Sequence, residues 1–246
     1  MVSLEQLQAT LASGSEENTS EYRCGVDLNI YDSPTCKRLA TQAAAGRHLW
    51  IKSLYGDLAI EVCLCEDEYP GWLLMQDFRV LELKPGVADQ VISLTDAEIR
   101  TRLPAVINFT QVAMQQPNHY LWGGTLGPNY DCSGLIQSAF ASVGIWLPRD
   151  AYQQEAFIQP IAIEEIELGD LVFFGPIQKA THVGLYLGAE CYIHSSGQEM
   201  GRNGIGIDRL CREQGDEVSR FYYQQLRGAG RVVRSYEPQS RRGQRG

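Results

Sequence analysis

The segment that most constrains the fold begins at Cys132. Leu135, Ile136, Ala139, Phe140 and Val143 recur at one-turn helical spacing, and Gly144 stands where such a helix would stop. An apolar stripe of that width has to be buried, so this helix belongs inside a core. It opens on Asp131-Cys132-Ser133-Gly134. A cysteine is therefore expected at the N-terminus of a buried helix. There, unpaired N–H groups and roughly half a positive charge favour a thiolate.

Elements of other kinds surround that helix. Thr95 with Glu98 is a capping-box pattern, so a short helix should start there. Pro104 then precedes Ala105–Met114, which reads as an amphipathic helix, and residues 151–158 read as another. Downstream the period changes to two. Leu168-Gly169-Asp170 turns into Leu171–Phe174, Thr181–Leu187 alternates, and Gly188-Ala189 is a hairpin turn before Glu190–Ser196. Phe221-Tyr222-Tyr223 and Gly230–Arg234 are expected to add later strands. Helices followed by an antiparallel sheet make an α+β plan. Before all of this, Tyr22–Leu83 breaks into several short β-like runs with turns at Ser33-Pro34, Ala45-Gly46-Arg47 and Pro70-Gly71. That pattern suggests a small β-barrel. The expected organisation is a flexible arm over 1–20, a barrel over 21–86, a linker with a short helix over 87–103, a helix-and-sheet domain over 104–236 and a disordered basic tail over 237–246.

Composition excludes some functions. The net charge is -9 and the pI about 5.0, which disfavours binding to nucleic acid or anionic membranes. No apolar run approaches the roughly 20 residues needed to cross a bilayer. The first residues carry glutamates and no continuous apolar stretch, so a secretory leader is not read there and a cytoplasmic location is expected. Seven cysteines are an odd number, and a disulfide scaffold is not expected. Cys63 and Cys65 would share one face of a strand, but no second pair stands at zinc spacing, so both read as core residues.

Cys132, His182 and His194 form the candidate catalytic set. Cys132 would be the nucleophile, His182 in the first half of a strand its base, and His194 across the hairpin the group that orients the base. Each residue alone is compatible with a structural role, and one cysteine with two histidines could also hold zinc. The combination of a glycine-flanked cysteine at a helix start with two histidines on paired strands favours catalysis.

These residues resemble a known family. Asp131-Cys132-Ser133-Gly134, Gly169–Phe174, His182-Val183-Gly184-Leu185-Tyr186 and Tyr192-Ile193-His194-Ser195 follow, in order, the signature of the NlpC-type cell-wall cysteine peptidases. Tyr120-Leu121-Trp122-Gly123-Gly124 matches the segment those enzymes carry before the nucleophile. Leu28-Asn29-Ile30-Tyr31 and Gly71-Trp72-Leu73 are similar to strands of bacterial SH3-like domains. The resemblance implies a papain-like α+β core behind an SH3-like barrel. It also implies γ-D-glutamyl-L-diamino acid endopeptidase activity on murein peptides, which needs no metal or organic cofactor; a monomer is expected. By that resemblance Asp131 and Ser133 help hold the L-Ala-γ-D-Glu part, Tyr120 stands near the thiol, and Asp150 is a substrate-side contact. Glu68 or Tyr69 of the SH3-like domain would close the amine end of the groove. A closed amine end rejects longer substrates by clash. The expected substrate is therefore a free peptide with an exposed N-terminal L-Ala, met in cytoplasmic recycling of wall peptides. The rivals are a papain-like amidase or acyltransferase on another amide or lipid, and a non-catalytic binder of peptidoglycan fragments.

Overall fold

The structure is a computed structural model that describes residues 20–84, 93–212 and 215–238. The expected N-terminal arm, the Pro85-Gly86 boundary and the arginines of the tail lie outside those residues. The chain divides into two compact units, the second spanning Ile92–Tyr236.

The first unit is a seven-stranded antiparallel sheet. Its strands are β1 (Glu21–Cys24), β2 (Leu28–Tyr31), β3 (Leu39–Ala43), β4 (His48–Tyr55), β5 (Ala59–Leu64), β6 (Pro70–Leu74) and β7 (Leu81–Leu83), in the order β3-β2-β6-β5-β4-β1-β7. Ile30, Leu49, Ile60, Val62, Leu64 and Leu73 fill its core. Gly71 is required for this packing, because a Cβ there would lie 2.4 Å from Ile30 Cγ2. Cys65 is fully buried as expected, whereas Cys63 is half-buried between the core residues Val62 and Leu64 of its strand, its thiol pushed up to about 11, first by burial.

The second unit starts with helix α1 (Asp96–Gln115) and a small hairpin of β8 (Thr125–Leu126) and β9 (Asn129–Tyr130). Helices α2 (Cys132–Ala141) and α3 (Ala151–Phe157) follow. The main sheet comprises β10 (Gln159–Ile161), β11 (Leu171–Phe174), β12 (His182–Gly188), β13 (Cys191–Ser196), β14 (Gly204–Arg209) and β15 (Leu226–Arg231). Helix α4 (Glu217–Gln224) precedes β15, and the strand order is β10-β15-β11-β12-β13-β14, antiparallel throughout. Alternation assigns each face its own cover. Leu171, Phe173, Val183, Leu185 and Ile193 pack with Ile99, Val106, Ile136 and Phe140 of α1 and α2. Val172, Phe174, Tyr192 and Ala229 pack with Tyr222 of α4. Burial on both faces explains why β11 reads as a continuous apolar run rather than an alternation.

Two local expectations are corrected. The short helix before Pro104 and the helix after it are one helix, Asp96–Gln115, with Thr95 and Glu98 as a reciprocal capping box. The residues from Asp96 onward therefore belong to the helix of the second unit, and Ile99 shares a core with Val106. Pro104 cannot donate to the Arg100 carbonyl, but it lies on the exposed face, where water can satisfy that carbonyl. Second, Phe221-Tyr222-Tyr223 is helical. Asp216 caps the helix by accepting the Ser219 N–H at 2.9 Å. Val218 and Tyr222, four apart, then point into one core while Phe221 stays exposed.

Candidate active site

The Asp-Cys-Ser-Gly segment is held by backbone approach and by one buried ion pair. Asp131 is the N-cap of α2, and its Oδ1 accepts the Gly134 N–H at 2.7 Å. Its Oδ2 accepts the Gly123 N–H at 2.8 Å. Arg149, 1% exposed, donates to both oxygens at 3.1 and 2.6 Å, and to Ser133 Oγ at 3.0 Å. Asp131 and Ser133 thus have internal partners that position the nucleophile. Gln154 of α3 adds a further tie, donating to the Ser133 carbonyl at 3.1 Å.

Gly134 has a specific steric reason. A Cβ at this position would fall 2.0 Å from the Gly124 carbonyl oxygen, the same oxygen that accepts the Asp131 N–H at 3.1 Å. Backbone cannot yield as a flexible side chain would. Gly134→Ala is therefore expected to disorder the cap and to lower active-thiol titre and melting temperature together. Full titre in the variant would refute the close-approach argument.

Cys132 is 6% exposed, and its thiol donates to the Thr181 carbonyl at 3.9 Å, the residue before His182. The thiol comes from the helix-covered face of the sheet. The imidazoles come from the other face, which β12 and β13 share. Tyr186 pairs with Tyr192, so His182, Tyr186, Tyr192 and His194 fall on one side. His182 Nε2 meets His194 Nδ1 at 2.6 Å, and His194 Nε2 meets Asp208 Oδ2 at 2.7 Å. Tyr222 stacks on His182 with ring centres 4.3 Å apart and bonds Ser196 Oγ at 2.7 Å.

Electrostatics reverse one expectation. Burial pushes the Cys132 thiol up to about 12, and the Asp131 carboxylate adds to this. The N–H groups of Ser133 and Val183 and the Arg149 guanidinium oppose the rise without overcoming it. His182 is held well below the ordinary imidazole value by burial and by His194, and His194 is also lowered, first by burial. At rest the site holds a neutral thiol and neutral imidazoles rather than an ion pair. Tyr120 is raised, first by burial and then by nearby negative charge such as the Asp131 carboxylate, so its hydroxyl stays protonated.

A pH dependence of stability follows. Both histidines are buried with lowered pKa, so unfolding takes up protons below about 6.5, the unfolded imidazole value. Their stabilising contribution is present above that pH and lost as pH falls below it. The melting temperature should drop between pH 7 and pH 5, and a variant with both histidines replaced by Gln should show a smaller drop. An equal drop in both proteins would count against this account.

The remaining predicted residues are placed as follows. Asp150 is the N-cap of α3, where its N–H donates to Gln153 Oε1 at 3.0 Å, and its side chain bonds the Tyr152 hydroxyl. Glu68 and Tyr69 lie in the first unit, Glu68 with a left-handed φ of 54° and Tyr69 packed against that unit's core. Among the described residues, no three His, Cys, Asp or Glu side chains converge as a metal site, and no helix is long and apolar enough to cross a membrane.

Comparison with known proteins adds the family. The model described as the NlpC/P60 family matches residues 117–225. Residues 117–225, a little under half of the chain, are thus similar to that family. A second model, the bacterial dipeptidyl-peptidase Sh3 domain, matches residues 30–78, which include Glu68 and Tyr69. The NlpC/P60 match includes Cys132, His182, His194 and Asp208. The chain is 37% identical over 117 residues to the bifunctional muramidase/DL-endopeptidase CwlT of Bacillus subtilis, covering 46% of this chain and 32% of that one. It is 40% identical over 82 residues to the gamma-D-glutamyl-L-lysine dipeptidyl-peptidase of Bacillus subtilis, covering 31% and 27%. Dipeptidyl-peptidase 6 of Lysinibacillus sphaericus is 38% identical over 108 residues, covering 44% and 35%. The chain spans between 27% and 35% of the length of these curated relatives. A solved NlpC/P60 protein from Bacillus cereus aligns over 90% of this chain and 66% of its own at 23% identity and a TM-score of 0.47.

Two residues of the matched region escape a reading of the sequence. Asp208 carries a weak signal, since Gly204-Ile205-Gly206-Ile207-Asp208 alternates and places the acid on one face of a strand. Tyr222 carries none, because its helix is apparent only once the core it enters is known.

Proposed function

We propose that this chain hydrolyses the bond between the γ-carbonyl of D-glutamate and the amine of a diamino acid in murein peptides. The observation that carries the reading is the thiol at the start of α2 beside the strand that bears His182, backed by His194. In the reaction the Cys132 sulfur attacks the γ-carbonyl while His182 takes the thiol proton. Transfer during attack suits a pair that is neutral at rest. In this reading N–H groups at the helix start and the Tyr120 hydroxyl stabilise the oxyanion. His182 then gives its proton to the departing amine, and the C–N bond breaks to leave a thioester. Water, deprotonated by His182, attacks the thioester, releasing the glutamyl carboxylate and restoring the thiol.

The finer parts of the proposal come from the resemblance. They are a preference for free peptides with N-terminal L-Ala, a role for Asp150, Glu68 and Tyr69 in that preference, and recycling of wall peptides in the cytoplasm. Hydrolysis of L-Ala-γ-D-Glu-meso-diaminopimelate with and without an acetyl cap on the alanine tests the first of these. Cleavage of the free peptide alone supports it. Equal cleavage of both removes the requirement for a free amine while keeping the peptidase. Cleavage of neither favours an acyltransferase or a binder.

A further inference from the structure

We infer that Asp208 is a positioning residue for the nucleophile: it fixes the tautomers of both histidines so that the bare nitrogen of His182 is the one left for the thiol. Its use in peptide cleavage rests on the function proposed above. The tautomer assignment itself does not.

Protons can be counted along a chain of buried bonds. An ionised carboxylate only accepts. Asp208 Oδ2 lies 2.7 Å from His194 Nε2, so that nitrogen carries the proton. A neutral His194 then offers Nδ1 as an acceptor. His182 Nε2, 2.6 Å away, must donate to it. The single proton of neutral His182 is thereby placed on Nε2, and Nδ1 is free to act as a base. When Nδ1 takes the thiol proton, the new imidazolium keeps its Nε2–H bond to His194. No proton needs to pass to Asp208.

Asp208 can hold this role because it is kept ionised. Its side chain is fully buried, with His194 equally so. Arg202 donates through Nε to Oδ2 at 3.1 Å and through Nη2 to Oδ1. Ser219 Oγ donates to Oδ1 at 2.9 Å. The groups that face Asp208 are His194 and Tyr192 on β13, Arg202 from the turn before β14, and Asp216, Ser219 and Tyr222 on or beside α4. Asp216 shares Arg202 at 2.7 Å and is half-exposed, so water screens its repulsion of Asp208. The four donors outweigh the cost of burial and hold the carboxyl well below the usual range. Gly206 leaves the arginine room. It stands opposite His194 in the β13–β14 register, and a Cβ there would come within 3.3 Å of Arg202 Cδ, in the space the arginine crosses.

A merely structural Asp208 would tie β14 to α4 through Ser219 without setting any tautomer. Two measurements separate the readings. The first is the ¹⁵N spectrum of the imidazoles in the full-length wild-type protein. The expected pattern is protonated Nε2 and bare Nδ1 in both His182 and His194; protonated Nδ1 in His194 overturns the proposal without any variant. The second is the rate of Cys132 alkylation by iodoacetamide, followed at that residue by peptide mapping, for wild type and Asp208→Asn from pH 6 to 10. An Asn that turns its amide N–H₂ toward His194 forces the opposite tautomer, a change that costs about 10⁴-fold in kcat in the serine-protease triad. The variant should react at least about 100-fold more slowly at pH 7. The deficit should shrink as hydroxide replaces the base at high pH. Parallel profiles for the two proteins would also overturn the proposal. Neither readout uses a peptide substrate, so failure here and failure of the proposed activity remain distinct.

Discussion

Cys132→Ala is expected to lower kcat for peptide hydrolysis by about 10⁴-fold or more, the scale on which loss of a nucleophile acts in a catalytic triad. The fold should survive the change. The thiol is small, donates weakly to the Thr181 carbonyl at 3.9 Å and is faced by the Ser133 and Val183 N–H groups, so its loss removes weak sulfur bonds and little volume. Binding of the product dipeptide should stay within a few-fold of wild type. Rates and melting curves on the same preparations check this. Retained turnover would move the chemistry away from Cys132. A protein equally dead and unfolded would show that the thiol packs the helix start rather than reacting there.

Arg149→Met is expected to destabilise the second unit by about 3–5 kcal/mol, because it leaves the Asp131 carboxylate buried without its cation. Arg149 is 1% exposed and reaches both carboxylate oxygens and Ser133 Oγ. The two N–H donors from Gly123 and Gly134 would remain on Asp131, but neither carries a charge. Arg149→Lys should lie between, since one ammonium cannot reproduce the planar fork. Denaturant midpoints for the three proteins give the order. A Met variant as stable as wild type would mean that Asp131 takes up a proton or finds water at no cost, and the account of the helix start would fail. The substitution should also reduce activity, because Asp131 caps the helix that presents the thiol.

How far the site could be read in advance depends on the distance over which each feature is set. The Cys132 helix is a local pattern, and its apolar spacing, N-cap and stop are all contained within residues 131–144. The two histidines are legible because a hairpin turn joins their strands, at Ala189-Glu190, one residue beyond the expected Gly188-Ala189. Other features are set by neighbours far along the chain. The helix through Pro104 persists because Ile99 and Val106 share one buried core, an interaction that outweighs the local break. The pKa of Cys132 shows the same contrast. A helix N-terminus alone argues for a thiolate, whereas burial under the fold reverses the balance.

Local order alone therefore determined that a cysteine would stand at the head of a buried helix and that two histidines would follow on neighbouring strands. Periodicity and turn chemistry act over a few residues, and the sequence states them directly. The tertiary structure decided which groups surround those three. It brought Asp208 to His194 across the β13–β14 register, Tyr222 onto His182 from α4, and Arg149 beneath the nucleophile. Burial, register and shielding from water arise only when distant segments pack. These set whether a nitrogen carries a proton and whether a carboxylate needs a cation.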